Sequence, residues 1–328
     1  MSALVTLNNG LKMPLIGLGC WKIPNKVCAE QVYDAIKLGY RLFDGATDYG
    51  NEAEVGQGIK KAIDDKIVTR ADLFIVSKLW NSFHRPEHVR LNVKKNLEDL
   101  GLDYVDLYYI HFPIAFKFVP IEERYPPSFY SGIKEEAQGI IATERVGLAD
   151  TYHAMEALVD EGLIKSIGIS NYNGGLVQDV LNYCRIKPVA LQIEHHPYLT
   201  QAHLVEYCKL NQIQIVAYSS FGPQSYVELK SEVAIETVPL FEHPTVKKIA
   251  SAHGSDISTS QVLLRWATQQ GVAIIPKSSK KERLLANLKV DETLTLTDDE
   301  LKEINNLNKN LRFNQPWEWM NMKFPIFD

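Results

Sequence analysis

The chain has 328 residues, of which 45% are hydrophobic and 23% are charged, a composition typical of soluble globular proteins that excludes a disordered chain. Its 35 basic and 40 acidic residues give a formal net charge of −5. The sequence contains no block of five or six like charges, which disfavours nucleic acid and anionic membranes as partners. Because no apolar run approaches the roughly 20 residues of a spanning helix, and the N-terminus lacks a signal-peptide pattern, a cytoplasmic protein is predicted.

The first predicted element is a β-hairpin, because apolar residues alternate around Asn9-Gly10 in VTLNNGLKM. Short β-rich runs then alternate with amphipathic helical stretches: LIGLG precedes VCAEQVYDAIKLG, RLFDGA precedes EAEVGQGIKKAIDD, and LFIVSKLW precedes PEHVRLNVKKNLEDLG. The alternation continues with VDLYYIHFP, IKSIGISN, ALQIEHHPY, IQIVAYSSFG and VAIIPKS, which precede DTYHAMEALVDEG, LVQDVLNYC, AHLVEYCKL, PTVKKIASAHG and KERLLANL. A last helix is predicted at LTDDELKEINNLNKN.

Eight apolar strands, each followed by a helix, favour a parallel sheet that closes into a (β/α)8 TIM barrel, with an open doubly wound sheet as the alternative. Two long insertions, residues 113–148 and 222–244, follow strands and are therefore expected as long loops at the C-terminal face. The aromatic C-terminal tail, residues 311–327, is expected to cover the barrel mouth. Residues 1–328 are predicted to form a single domain.

The four cysteines carry neither a CxxC pair nor a histidine at the spacing of metal ligands, so reduced thiols are predicted. They are Cys20, Cys28, Cys184 and Cys208. His195 and His196 are adjacent, and adjacent side chains of a strand point to opposite faces, so the two cannot converge on one ion. No metal site is predicted.

Polar residues stand at the C-terminal ends of nearly all the predicted strands. In a barrel they would converge at one mouth, where barrel enzymes hold catalytic and binding groups. Each one alone also has a structural interpretation, such as an ion pair, a satisfied core histidine or a capping amide. The set comprises Asp44, Lys78, His111, Ser170, Asn171, Gln192, Tyr218 and Lys277.

Tyr49, in RLFDGATDYGNE, suggests what an ion pair between Asp44 and Lys78 would serve. A free phenol has a pKa near 10, about three units above neutral pH, and an adjacent ammonium would lower that pKa by stabilising the phenolate. Asp44 would keep Lys78 charged and oriented towards the Tyr49 phenol. His111 would hydrogen-bond a substrate oxygen, so that a carbonyl is held by Tyr49 and His111 together.

Seven ordered motifs resemble the aldo-keto reductase family: RLFDGATDYGNEAEVG, VSKLW, GLDYVDLYYIHFP, IGISN, LQIEHHPYL, AYSSFG and IPKSSKKER. The resemblance covers residues 10 to 320. KFVPIEERYPPSFY, SSFGPQS and RFNQPW are similar to the xylose reductases of that family. The resemblance implies NAD(P)H-dependent reduction of open-chain aldoses, D-xylose to xylitol, and of other aldehydes. Hydride would attack the carbonyl carbon with Tyr49 as general acid, and Asp44, Lys78 and His111 would complete the catalytic set.

The dinucleotide must be held without a Rossmann loop, because GLGCWK from Gly17 lacks the third glycine. The basic cluster after the eighth strand suits a 2′-phosphate. By resemblance, the carboxamide contacts are Ser170, Asn171 and Gln192, the ring-stacking residue is Tyr218, the adenosine-phosphate contacts are Lys277, Ser278, Arg283 and Asn287, and the pyrophosphate loop SSFGPQS contributes Ser219 and Phe221.

NADPH/NADP is therefore the expected cofactor. Glu228 stands where xylose reductases that also accept NADH use a carboxylate for the ribose hydroxyls, which leaves NADH/NAD open as a second cofactor. Ser279 stands where some relatives carry an amide, and Ala286 stands where many aldose reductases carry Glu. The preference between NADPH and NADH therefore stays open. The expected substrate contacts are Trp21, Asp48, Trp80, His111, Phe112 and Asn314, although the tryptophans also suit core packing and Asp48 also suits a helix cap.

Two other functions remain open. The same fold serves as a non-catalytic binding module in some proteins, and fold does not prove activity. A sugar-phosphate isomerase built on a barrel would need no stacking Tyr218. By resemblance to xylose reductases, the partners are a small aldehyde or aldose and a second copy of the chain in a homodimer.

Overall fold

The N-terminal hairpin is present in the computed structural model, which describes residues 3–319 and 322–327. Its strands are β1 (Leu4–Thr6) and β2 (Lys12–Pro14), paired antiparallel. The predicted hairpin is confirmed. The predicted domain and tail also include Met1, Ser2, Met320, Asn321 and Asp328, which lie outside the described residues.

Eight parallel strands follow the hairpin, and each is hydrogen-bonded to the next in chain order. Their residues are almost entirely buried, as expected for a sheet covered by helices. Their bounds are β3 Leu18–Gly19, β4 Leu42–Asp44, β5 Phe74–Leu79, β6 Leu107–Ile110, β7 Ile167–Ser170, β8 Ala190–Glu194, β9 Gln214–Tyr218 and β10 Ala273–Ile274.

The sheet closes on itself between its first and last strands. Ile16 forms a parallel bridge with Ile274, and the Gly17 N–H donates to the Ile274 carbonyl at 2.9 Å. A Cβ on Gly19 would lie 2.5 Å from the carbonyl oxygen of Ile275, so only glycine allows the strands to approach this closely. The closed (β/α)8 barrel is confirmed over the doubly wound sheet, and Gly19 of GLGCWK serves this closure.

Helices surround the barrel, and each of the predicted ones is found, although the last is shorter than LTDDELKEINNLNKN suggested. Both insertions contain short helices. The bounds are α1 Asn25–Leu38, α2 Glu52–Asp64, α3 Pro86–Leu100, α4 Ile133–Gln138, α5 Leu148–Asp160, α6 Gly174–Tyr183, α7 Ala202–Leu210, α8 Gln224–Val227, α9 Glu232–Glu236, α10 Pro244–Ala252, α11 Thr259–Gln269, α12 Lys281–Leu288, α13 Val290–Thr293 and α14 Asp298–Asn305.

Helix α11 was missed by the sequence analysis, which assigned no element to residues 255–271. It begins with a capping box: the Gln261 N–H donates to Ser258 Oγ at 3.3 Å, and the Ser258 N–H donates to Gln261 Oε1 at 3.0 Å. The Ser-x-x-Gln spacing before the apolar run VLLRWA is the signal that would have found it.

The described part of the tail packs against the barrel, as predicted. Phe313 and Ile326 are buried, and the Trp319 ring lies 4.7 Å from the Phe112 ring, which follows β6 at the C-terminal mouth. The aromatic residues therefore cover apolar surface that would otherwise face water.

A buried polar network behind β5 centres on Glu52, whose exposed fraction is 3%. Ser77 Oγ donates to Glu52 Oε1 at 2.5 Å, and Asn96 Nδ2 donates to Glu52 Oε2 at 2.6 Å. Asn96 also donates to Thr47 Oγ1, whose hydroxyl donates to the Lys78 carbonyl at 2.7 Å. Burial raises the pKa of Glu52 to about 7 despite these hydrogen bonds.

Glu52→Gln is expected to flatten the pH dependence of stability. Because the folded-state pKa lies above the ordinary value of 4.5, the stability that Glu52 contributes is complete below pH 4.5 and is lost as the pH rises through 7. Relative to the variant, the native chain should lose about 2 kcal/mol of unfolding free energy between pH 5.5 and 8. Urea unfolding at both pH values measures this, with exposed Glu98→Gln as the control. Identical slopes in native chain and Glu52→Gln would contradict the prediction.

Candidate active site

A cavity of about 1060 Å³ opens at the C-terminal mouth of the barrel. All the residues predicted to bind cofactor or substrate line it, as do Asp44, Tyr49 and His111 of the predicted catalytic set. Lys78 lies beneath the cavity with no exposed surface. Residues from distant parts of the chain meet here because parallel strands place their carboxyl ends at one face.

Asp44 and Lys78 form a buried ion pair at the base of the cavity. Asp44 ends β4 and Lys78 is the penultimate residue of the neighbouring strand β5, and Lys78 Nζ lies 2.5 Å from Asp44 Oδ1. Lys78 Nζ also donates to the Gly45 carbonyl at 2.8 Å and to the Tyr49 hydroxyl at 3.2 Å. Gln192 Nε2 donates to Asp44 Oδ2 at 2.8 Å. The pair is thus hydrogen-bonded on both sides, which offsets the cost of burying two charges.

The pKa of the Tyr49 phenol is raised well above its usual value, chiefly by burial and further by the carboxylates of Asp44 and Asp48. The sequence analysis predicted a lowered pKa for this phenol, and the direction of the shift is the opposite. Asp44 lies closer to the Lys78 ammonium than Tyr49 does and balances its charge, so the loss of hydration prevails. The phenol is therefore fully protonated at neutral pH, the state that a proton donor needs.

His111 follows β6 and faces Tyr49 across the cavity. The two rings meet edge to face with 5.9 Å between their centroids. His111 Nδ1 lies 3.0 Å from Asp48 Oδ1, and the His111 carbonyl accepts a hydrogen bond from Asn171 Nδ2 at 2.9 Å. A carbonyl oxygen at this place would meet both the phenol and the imidazole.

One wall of the cavity carries amide and hydroxyl groups from β7, β8 and β9. Tyr218 OH donates to Asn171 Oδ1 at 2.6 Å, and Asn171 Nδ2 lies 3.2 Å from Ser170 Oγ. Asn171 and Ser219 both have left-handed backbone conformations, with φ of 62° and 52°. Strained backbone of this kind is typical of functional sites, where the surrounding structure holds it in place.

Aromatic side chains form another part of the cavity wall. The Phe129 ring lies 5.1 Å from the Trp80 ring and 5.3 Å from the Trp319 ring, and Trp319 also contacts Phe112. Trp80 Nε1 donates to the Ser128 carbonyl at 3.2 Å. Sequence reasoning missed Phe129 and Trp319, although the aromatic density of YPPSFY and PWEW was a signal for them.

The far end of the cavity is basic. Lys277, Ser278, Arg283 and Asn287 line it around the N-terminus of α12. Lysine, arginine and a helix N-terminus together favour a bound phosphate. The wall also includes residues 258–260 at the start of α11, which sequence reasoning missed together with that helix.

The second insertion, residues 222–244, contributes part of the cavity wall. Lys22 Nζ donates to the Ser225 carbonyl at 2.6 Å and lies 3.4 Å from Glu228 Oε2. Tyr226 is buried, and its hydroxyl accepts a hydrogen bond from Ser219 Oγ at 3.1 Å. Lys22 and Tyr226 are further lining residues that the sequence analysis missed.

Three further findings concern metal ligands, membrane-spanning helices and cysteines. Within residues 3–319 and 322–327, no group of three or more His, Cys, Asp or Glu residues is arranged to hold a metal ion. Across the same residues, no helix has both the length and the apolar character that crossing a bilayer requires. All four cysteines are free thiols.

Comparison with known proteins gives consistent matches over nearly the whole chain. The aldo/keto reductase family profile matches residues 15–309. An NADPH-dependent aldose reductase of Saccharomyces cerevisiae is 66% identical over 327 residues, covering 100% of both chains. An NAD(P)H-dependent D-xylose reductase of Kluyveromyces lactis is 64% identical, covering 98% of both chains. An NADH-dependent D-xylose reductase of Candida parapsilosis is 56% identical, covering 99% of this chain and 98% of the relative.

Proposed function

The chain belongs to the aldo/keto reductase family, and on that premise we propose that it is an NAD(P)H-dependent aldose reductase. Its substrates are open-chain aldoses, D-xylose reduced to xylitol among them, and other aldehydes. One observation carries the proposal: the Tyr49 hydroxyl lies 3.2 Å from the buried Lys78 ammonium, beside His111, inside a cavity of about 1060 Å³. The aldose and D-xylose reductases to which the chain is similar support the same reaction.

The residues of the cavity fit a nicotinamide dinucleotide from end to end. Asn171 and Gln192 offer amides to the carboxamide, and Tyr218 offers a ring face to the nicotinamide. Lys277 and Arg283 supply positive charge at the opposite end, where the adenosine phosphate would lie. When bound there, the reduced nicotinamide would supply a hydride for the carbonyl carbon.

The chain's own residues orient the carbonyl and deliver the proton. Tyr49 and His111 hold the carbonyl oxygen, and the Tyr49 hydroxyl gives its proton to that oxygen as the alkoxide develops. An alkoxide is a stronger base than a phenolate, so this transfer is favourable even for a phenol whose pKa is raised. Lys78 then stabilises the phenolate. Asp44 holds Lys78 in place, and Gln192 holds Asp44 in place.

The substrate end of the cavity suits an open-chain sugar. Asp48 and Asn314 are polar groups for its hydroxyls, beside aromatic walls that include Trp21 and Trp80. Only a small fraction of a free aldose is in the open form, so the apparent affinity for aldoses is expected to be weak.

A kinetic panel that crosses aldoses and simple aldehydes with NADPH and NADH tests the proposal, with cofactor absorbance as the readout. Turnover of D-xylose to xylitol is the expected result. No turnover of any aldehyde in the panel, with cofactor binding intact, would favour a non-catalytic binding module. Isomerisation of a sugar phosphate without any nicotinamide would favour the barrel isomerase.

Arg283→Ala is expected to weaken NADPH binding much more than NADH binding, because only NADPH carries the 2′-phosphate that a guanidinium would hold. Losing one charge-assisted hydrogen bond predicts a dissociation constant for NADPH raised about tenfold or more, and for NADH raised less than about threefold. Fluorescence titration measures both. Lys281→Ala, on the same helix but outside the cavity lining, is the control. Equal losses for both cofactors would refute this assignment.

We also propose that residues 1–328 form one domain and that the chain acts in the cytoplasm as a homodimer, without nucleic acid or membrane partners. The net charge of −5 supports the absence of anionic partners. The dimer rests on the resemblance to xylose reductases, and sedimentation analysis tests it.

A further inference from the structure

Glu194, the last residue of β8, is a fully buried carboxylate that binds the backbone of the C-terminal tail. Its Oε1 accepts a hydrogen bond from the Phe313 N–H at 2.9 Å, and its Oε2 accepts one from the Asn314 N–H at 2.8 Å. His196 Nε2 lies 2.9 Å from Oε1. A buried carboxylate without partners would be costly, and here two backbone N–H groups donate to it beside the His196 ring.

The residue that Glu194 holds reaches into the cavity. Asn314 Nδ2 donates to Tyr218 OH at 3.1 Å, and Tyr218 OH donates to Asn171 Oδ1 at 2.6 Å. Asn314, Tyr218 and Asn171 line the cavity, whereas Glu194 does not. Glu194 therefore has a route to a substrate through the tail, in addition to its strand pairing with Tyr218.

Residues at and after the end of β8 make two further contacts with residues 312–314 of the tail. The Glu194 carbonyl accepts a hydrogen bond from Gln201 Nε2 at 2.6 Å, and Gln201 Oε1 accepts one from Arg312 Nη2 at 3.0 Å. The Phe313 ring packs against His196, with 5.4 Å between the ring centroids. Residues 312–314 are thus fixed by the barrel itself.

We propose that Glu194 is a positioning residue that sets the preference of the enzyme for hydroxylated aldehydes. By holding the Asn314 N–H, it fixes the Asn314 amide where a sugar hydroxyl would meet it. A simple aldehyde has no such hydroxyl and gains nothing from this contact. Tyr218 keeps Asn171 as a partner when Asn314 moves, so the cofactor wall stays in place. The inference rests on the proposed function of the same cavity.

Glu194→Gln tests the proposal with nearly unchanged volume. An amide has one oxygen and one NH₂ group, so in either orientation one tail N–H loses its acceptor. With NADPH saturating, kcat/KM for D-xylose should fall about tenfold, mainly through KM, which corresponds to losing one well-placed hydrogen bond. For propanal, kcat/KM should change less than about twofold. Parallel losses for both aldehydes would overturn the proposal.

A double-variant cycle asks whether Glu194 acts through Asn314. Asn314→Ala should lower the ratio of D-xylose to propanal activity by itself, and Glu194→Gln should then lower that ratio no further. Additive losses would overturn the proposed route. If the native chain reduces neither aldehyde, the proposed function fails; if it reduces both and the two losses are parallel, only the positioning role fails.

Glu156→Gln is the matched control. Glu156 is another buried glutamate, and its Oε1 accepts backbone hydrogen bonds from Arg185 at 2.6 Å and Ile186 at 2.7 Å, outside the cavity lining. It should lower the unfolding midpoint without changing the activity ratio, and a matching change of the ratio would overturn the proposal. Amide hydrogen exchange tests the proposal in the native chain, without any substitution. The Phe313 and Asn314 amides should exchange slowly, and rapid exchange would overturn the proposed hold of Glu194 on the tail.

Discussion

Replacing Tyr49 by phenylalanine is expected to lower kcat for D-xylose by about 10²–10⁴-fold, the usual contribution of a general acid. The variant keeps the aromatic ring and removes only the hydroxyl that lies 3.2 Å from Lys78 Nζ. His111 would still contact the developing alkoxide, but the alkoxide would lose the phenol that is assigned to give it a proton. NADPH binding should change less than about twofold, because the hydroxyl is assigned to the carbonyl and not to the cofactor.

Steady-state rates with D-xylose and fluorescence titration with NADPH measure the two expectations. Tyr152→Phe is the matched control, since Tyr152 is a buried tyrosine whose hydroxyl donates to the Ile186 carbonyl at 2.7 Å, outside the cavity lining. It should retain full turnover. A kcat for Tyr49→Phe within tenfold of the native value would remove Tyr49 from the role of proton donor.

Lys78→Met is expected to cost about 3–5 kcal/mol of unfolding free energy, because it leaves the Asp44 carboxylate buried without its ammonium. Among the residues that the structure describes, Gln192 Nε2 would remain as the side-chain hydrogen-bond partner of Asp44. Turnover should fall at least about a hundredfold, since the phenolate that forms at Tyr49 would lose the charge that stabilises it. Urea unfolding and kcat with D-xylose measure the two effects.

The double variant Asp44→Asn with Lys78→Met separates stability from chemistry. It removes both buried charges, so it should recover much of the lost stability, yet it should recover no turnover. A double variant that regains native turnover would show that the ion pair is structural only. Lys60→Met, which removes an exposed partner of Asp64, is the control and should change stability by less than about 1 kcal/mol.

The fold and the base of the site could be predicted because both follow from local pattern and strand order. Apolar runs separated by helices define parallel strands, and parallel strands bring their carboxyl ends together. Asp44 ends β4 and Lys78 stands one residue before the end of β5, so their contact follows once β4 and β5 are known to be neighbours. Tyr49 follows Asp44 by five residues, which keeps it at the same mouth.

Contacts that depend on irregular segments could not be predicted. Phe129 and Trp319 reach the cavity from an insertion and from the tail, whose paths are set by tertiary packing and not by a repeating pattern. The same holds for Lys22, which meets Ser225 across the mouth. The sign of the Tyr49 pKa shift was missed for a different reason, since a sequence does not state how completely a side chain is removed from water.

The closure of the barrel between Ile16 and Ile274 has a consequence for how the chain folds. These residues stand near opposite ends of the barrel sequence, so their pairing closes the longest loop in the sheet and is expected late in folding. Until then, β3 and β10 are free edges that a second chain could extend. Each is only two residues long, which gives such an intermediate little edge on which to aggregate.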